Sequence, residues 1–457
     1  MLRLLYLICF LFLLASCSNT TSTEKPSLST TTEKKSVRML PLEAGKLYPS
    51  ITGSISSRRF ALYVPTNFIA KNKFPLLLFL DPHADGEEPL EKYKELADQC
   101  GFILAASLDA KNGITLPESG TIVSDLLNEA NNTLPIDPAA IYLAGFSGGA
   151  KAAIAAATSL TGIASVIYCG AAFPPNSLPV KIPSMAIAGL RDMNFSEVLY
   201  YTAALDTMPY RHSMLVTNND HRWPTSSEFE SALLWCMAIR CRSNSHCDTA
   251  AITKLSTTFL QSIDKESDPI LKDFKLRHYV ACTEGIIDNA LAKSSLQKNK
   301  NSPGFGQRLA QFTNELGNEQ QVKQELQQAL QDKDINWWKN RLQQLRANKS
   351  DLVNQRLLGF VSLGAYMYSR NALDQANTAA AAQYIELYRL ADPENPEWAF
   401  LSACLSTELG DKTSALKWLQ KSISLGLDDA KKLREEKLLQ GLQNEAALQS
   451  MVAQLER

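Results

Sequence analysis

Between residues 40 and 245, short apolar runs alternate with longer stretches in which apolar positions recur every three or four residues. Arg59 to Val64 patterns as a half-buried strand, and Pro65 ends it. Phe74 to Leu80 is continuously apolar and stops at Asp81-Pro82, as expected for a strand covered on both faces. Further strands are predicted over 102–107, 140–143, 164–168, 184–188 and 212–216. Helical spacing fills the intervals: Leu90, Tyr93, Leu96 and Ala97 before the stop at Gly101, then Ile122 to Leu134, then the alanine-rich Ala150 to Leu160. Strand and helix in alternation predict an α/β domain over 39–248 with a doubly wound, mainly parallel sheet. In open sheets of this kind function collects at the carboxyl ends of the strands.

From about residue 250 the strand-like runs end and glutamine, alanine, leucine and lysine dominate at helical spacing, predicting an all-α half. Lys293 to Gly306, which contains Pro303-Gly304, reads as a flexible connector. Trp337-Trp338 reads as helix-packing material. Ala381 and Ala415, Ile385 and Leu419, Asp392 and Gly426 correspond at an interval of 34 residues, and Gly410-Asp411 falls at an inter-helix turn. This stretch resembles a tetratricopeptide array. The resemblance divides the half into 249–360, holding degenerate units, and 361–457, holding repeats and a terminal cap from 428. It also implies a protein partner for the repeats.

The beginning of the chain adds a third character. Arg3 precedes a 12-residue apolar run, Leu4 to Ala15, too short to span a membrane and suited to a signal peptide over 1–16. Leu14-Ala15-Ser16-Cys17 resembles the lipobox of bacterial lipoproteins, which implies acylation of Cys17 and membrane attachment through a lipid anchor. In that family an aspartate after the cysteine marks inner-membrane retention. Ser18 stands there instead, so a bacterial cell envelope location on the outer membrane is expected. Eleven of the 19 residues from Ser18 to Ser36 are serine or threonine, making 17–38 a tether that extends on the order of 60 Å. Lysine plus arginine number 46 against 47 aspartate plus glutamate, which gives no electrostatic basis for binding nucleic acid.

The chemistry sits at three predicted strand ends. After the strand at 140–143 comes Gly145-Phe146-Ser147-Gly148-Gly149, a G-x-S-x-G between strand and helix, the context a nucleophile elbow requires. A serine hydroxyl needs a histidine to take its proton and a carboxylate to orient that histidine. Of His83, His212, His221, His246 and His278, only His221 lies in a polar loop after a late strand. Asp192 follows the strand at 184–188, 45 residues after Ser147 and 29 before His221, giving the order Ser, Asp, His. Asp206, in a connecting helix, and Asp220, beside the histidine, are its competitors.

Phe74 to His83, Gly145 to Gly149, Gly189-Leu190-Arg191-Asp192 and His221-Arg222-Trp223-Pro224 together resemble the α/β-hydrolase superfamily. They resemble in particular secreted esterases related to feruloyl esterases, acetylxylan esterases and polyhydroxybutyrate depolymerases. The resemblance implies a carboxylic ester hydrolase, ahead of a peptidase, acting on a small-molecule or polysaccharide-linked ester. It implies that the Gly148 amide is one oxyanion donor and that the amide of His83 or Ala84 is the second, with Ala84 where a glycine is usual and Pro82 lacking an N–H. No cofactor fingerprint follows any strand. Zinc is set aside because Cys236, Cys241, His246 and Cys247 lack the usual paired spacing, and a Cys241–Cys247 staple is expected instead. The other reading is a catalytically inactive hydrolase-fold scaffold whose repeats bind an envelope protein.

Overall fold

Eight strands form a single sheet in the order β1-β2-β4-β3-β5-β6-β7-β8 in the computed structural model of the chain. They are β1 Leu47–Thr52, β2 Arg59–Tyr63, β3 Phe74–Leu80, β4 Ile103–Ser107, β5 Ile136–Phe146, β6 Ser165–Cys169, β7 Ser184–Gly189 and β8 His212–Thr217. The structure describes residues 39–175, 177–243, 247–348 and 350–456. The expected signal peptide, Cys17 and the tether lie outside them, as does His246. β1 and β2 pair antiparallel with their neighbours, and every pairing from β4 through β3 to β8 is parallel.

The central strands are buried along their length because helices cover both faces. Leu76, Leu78 and Leu80 of β3 point into one core with α2 (Leu116–Thr133), α3 (Gly148–Ser159) and α4 (Phe195–Ala204). Leu77 and Phe79 point into the other, with α1 (Glu87–Cys100), α5 (Ser226–Arg242) and α6 (Thr249–Asp264). This two-residue alternation puts successive side chains of a continuously apolar strand into two different cores.

The second half runs through α7 Pro269–Thr283, α8 Ala290–Lys300, α9 Pro303–Asp332, α10 Ile335–Arg346, α11 Leu352–Asp374, α12 Thr378–Ala391, α13 Glu397–Glu408, α14 Lys412–Ser424, α15 Ala430–Glu435 and α16 Ala446–Leu455. The expected connector over 293–306 is instead the body of α8 and the start of α9. Pro303 occupies the first turn of α9, where its missing N–H has no helical partner to lose. Ala381, Ile385, Ala415 and Leu419 are all buried on α12 and α14, in a core that also holds Trp338. The helical half is packed into the sheet domain: Phe305, Phe312 and Leu316 of α9 share a core with Phe195 and Val198 of α4.

Candidate active site

The turn after β5 holds Ser147 at φ 51°, ψ −121°, a backbone conformation costly for a residue with a side chain. The turn closes only because its neighbours lack side chains. A Cβ on Gly145 would lie 2.2 Å from the Gly149 carbonyl oxygen, and one on Gly149 would lie 1.9 Å from that of Leu80. The Ser147 amide donates to the Cys169 carbonyl at 2.9 Å, tying the elbow to the end of β6.

His221 and Asp192 reach the same point from the ends of β8 and β7. His221 Nε2 is 2.9 Å from Ser147 Oγ, and its Nδ1 is 3.0 Å from each carboxylate oxygen of Asp192. Asp192 is 1% exposed, so its charge is shielded from water and directed at the imidazole. The Asn194 amide donates to Asp192 Oδ1 at 2.8 Å and gives the carboxylate a second anchor. Gly170, at φ +66°, leaves the space this pair occupies: a Cβ there would meet Asp192 Oδ2 at 2.9 Å and His221 Nδ1 at 3.3 Å. The competing carboxylates are engaged elsewhere, Asp220 with the Arg222 guanidinium and Asp206 with His212 Nε2 at 2.8 Å.

Asp81 and Trp223, which the family resemblance included without giving either a role, link the two loops that flank the serine. Asp81 is 3% exposed; its Oδ2 accepts from Trp223 Nε1 at 2.8 Å and its Oδ1 from the His83 amide at 2.7 Å. Phe146 lies against both rings, with its centroid 4.7 Å from that of His221 and 5.5 Å from that of Trp223.

The loop after β3 differs from expectation. The His83 amide donates to the Asp81 carboxylate and the Ala84 amide to the Asp81 carbonyl at 3.1 Å, so both donors expected for the oxyanion are committed within one turn. Ala84 itself sits at φ 57°, the left-handed region that explains the usual glycine. The Gly148 amide has no acceptor among the described residues. Beside it lies the exposed side chain of Asn112, so close that a Cβ on Gly148 would stand 1.8 Å from Asn112 Oδ1. The Asn112 amide donates to the Pro82 carbonyl at 2.8 Å, which stacks its loop on the loop after β3. Leu80, Asp81, Asn112, Leu116, Gly148 and Gly149 border a cleft of about 190 Å³.

Cys241 and Cys247 are bonded to each other, which removes both sulfurs as metal ligands. Among the described residues no group of three or more His, Cys, Asp or Glu side chains could hold a metal ion.

The strand order, the single crossing from antiparallel to parallel pairing and the serine turn after β5 define the α/β-hydrolase fold, followed by an all-α domain. No protein-family model matches the chain, and no curated protein does. Solved structures similar to it include FphF, a fluorophosphonate-binding serine hydrolase of Staphylococcus aureus, at 11% identity and a TM-score of 0.34 over 42% of this chain and 99% of that one. The feruloyl esterase module from Clostridium thermocellum is similar at 11% identity and a TM-score of 0.34, over 46% and 93% of the two chains. An S-formylglutathione hydrolase from Agrobacterium tumefaciens has 13% identity and a TM-score of 0.32, over 38% and 87%.

Proposed function

We propose that this protein is a serine hydrolase that cleaves carboxylic esters through an acyl-enzyme, with Ser147 as nucleophile, His221 as general base and Asp192 as its orienting carboxylate. The observation that carries the reading is the continuous relay from the buried Asp192 through both nitrogens of His221 to Ser147 Oγ, each step at 2.9 to 3.0 Å. With Nδ1–H donating to Asp192, Nε2 is the unprotonated nitrogen facing the serine. Ser147 Oγ attacks the ester carbonyl as Nε2 takes its proton. The tetrahedral intermediate then expels the alcohol, which receives that proton from His221. Water, deprotonated by the same nitrogen, attacks the acyl-enzyme; as that second intermediate collapses, Ser147 takes the proton back and the acid leaves.

The developing oxyanion takes one hydrogen bond from the Gly148 amide at the start of α3. For the second, the reading departs from the family pattern: with His83 and Ala84 committed, the Asn112 carboxamide lies against Gly148 with Oδ1 nearer than Nδ2, and a half-turn of that carboxamide presents its N–H as the second donor. The lipid anchor at Cys17 holds the enzyme to the cell envelope, with the outer membrane as its site. The 34-residue periodicity after 360 supports a tetratricopeptide-like domain that docks a protein partner.

Labelling with a fluorophosphonate probe tests this without knowledge of the substrate. Wild type is expected to label, and Ser147→Ala and His221→Ala are expected not to. A folded wild type that resists the probe and leaves p-nitrophenyl acetate intact would instead favour the inactive-scaffold reading.

A further inference from the structure

The segment that carries Asp192 receives much of its support from the helical half. Arg356 of α11 donates from Nη1 to the Leu190 carbonyl at 2.7 Å, two residues before the carboxylate. Lys323 of α9 donates to the Met193 carbonyl at 2.7 Å, one residue after it, and to Ser196 Oγ at 3.0 Å. Glu319, also on α9, joins these groups. Its Oε2 accepts from Arg356 Nε at 2.8 Å, and its Oε1 lies 2.7 Å from Lys323 Nζ and accepts from Ser196 Oγ at 3.1 Å. Arg356 is 2% exposed and Glu319 0%. The Arg356 guanidinium also lies over the Phe195 ring, 5.3 Å from its centroid. Gly359, one turn along α11, brings the helix backbone onto Met193, where a Cβ would stand 3.2 Å from the Met193 Cβ.

Desolvating a guanidinium and a carboxylate costs several kcal/mol per ion unless every polar atom is satisfied, and a well-packed apolar pair is often no less stable. This network lies at the junction of two domains and directs its donors at the two carbonyls flanking one catalytic carboxylate. We infer that Arg356, Lys323 and Glu319 are positioning residues that hold the Asp192 segment in register with His221, making the helical half part of the catalytic apparatus. Arg356 and Lys323 grip the loop, and Glu319 fixes both cations at the distance the two carbonyls require. None touches substrate; they act through Asp192. A ligand that tilts α9 or α11 would therefore alter hydrolysis without entering the cleft. The inference rests on the hydrolase reading above.

The test compares fluorophosphonate labelling rate per folded molecule, together with kcat and KM for p-nitrophenyl acetate, in wild type and variants. Arg356→Met combined with Glu319→Gln removes the grip and leaves the Lys323 ammonium without its carboxylate, and Lys323→Met removes the second contact. Labelling and kcat are expected to fall at least tenfold in the double variant and severalfold in Lys323→Met, with KM within a factor of two. Arg356→Lys, which keeps a cation, is expected to recover part of the loss. Arg370→Met breaks a half-buried pair with Glu436 elsewhere in the helical half and should leave the labelling rate at the wild-type value. Folded variants that unfold at a lower temperature but label at the wild-type rate would overturn the positioning role and leave a purely structural one. Failure of wild type to label would instead overturn the hydrolase reading, and the positioning role with it.

Discussion

At the scale of the residue, the site is organised around one charge that has nowhere else to go. Asp192 is buried, and its oxygens face His221 Nδ1 and the Asn194 amide. Asp192→Asn keeps the shape and loses the charge that selects the tautomer. In enzymes of this type such a change costs on the order of 10⁴ in kcat, which steady-state hydrolysis of p-nitrophenyl acetate will read. Asn112→Ala, if the side chain supplies the second oxyanion donor, lowers kcat by about 10² to 10³ with little change in KM. An unchanged kcat would return the role to a backbone amide of the loop after β3. The serine, aspartate and histidine were legible in the sequence because each lies in the loop or turn that follows a strand, and strand ends can be read from apolar runs. Asn112 and Asp81 were not. Their places depend on how two loops stack, and that contact joins residues about thirty positions apart.

At the scale of the element, seven strands were readable from their apolar runs, whereas β1 was not. Its residues are half-buried or exposed at the sheet edge, so the period-2 signal is faint. The start of α9 was misread because Pro-Gly commonly marks a break, while a proline in a helix's first turn is compatible with it. The elbow makes a sharp demand. Gly149→Ala would drive a methyl group into the Leu80 carbonyl, so we predict a loss of about 1 to 3 kcal/mol, measurable by urea unfolding, together with loss of labelling.

The join between α7 and β8 carries a pH signature. His278 is fully buried against Ser213, Cys282 and Phe259, and burial lowers its pKa from 6.5 to about 4. Between those values the unfolded chain binds a proton that the folded chain refuses. The stability associated with neutral His278 is therefore complete above about pH 6.5 and declines as pH falls toward 4, by up to about 3 kcal/mol. Urea midpoints at pH 7 and pH 5 should differ more for wild type than for His278→Asn; equal differences would remove His278 from the account.

At the scale of the molecule, the change of composition near residue 250 marked the boundary between the two halves but not how they are joined. Helical periodicity identifies an apolar face, and the sequence alone did not show that Phe305, Phe312 and Leu316 of α9 enter the core beside α4. It also gave no sign that Glu319 and Arg356, 37 residues apart, meet beneath the Asp192 segment. With core residues shared in this way, the two halves should unfold together. Loss of helical circular dichroism and loss of probe labelling are expected to share one urea midpoint. Labelling that outlasts the helical signal would show that the sheet domain keeps its site unaided.

The central claim is that Ser147 is an activated nucleophile. The most direct measurement is mass-spectrometric mapping of the fluorophosphonate adduct on the purified protein. The account predicts one adduct per chain, located on Ser147, absent when His221 is replaced by alanine and slowed when Asp192 is replaced by asparagine. An adduct on another residue, or full labelling of Ser147 without His221, would contradict it.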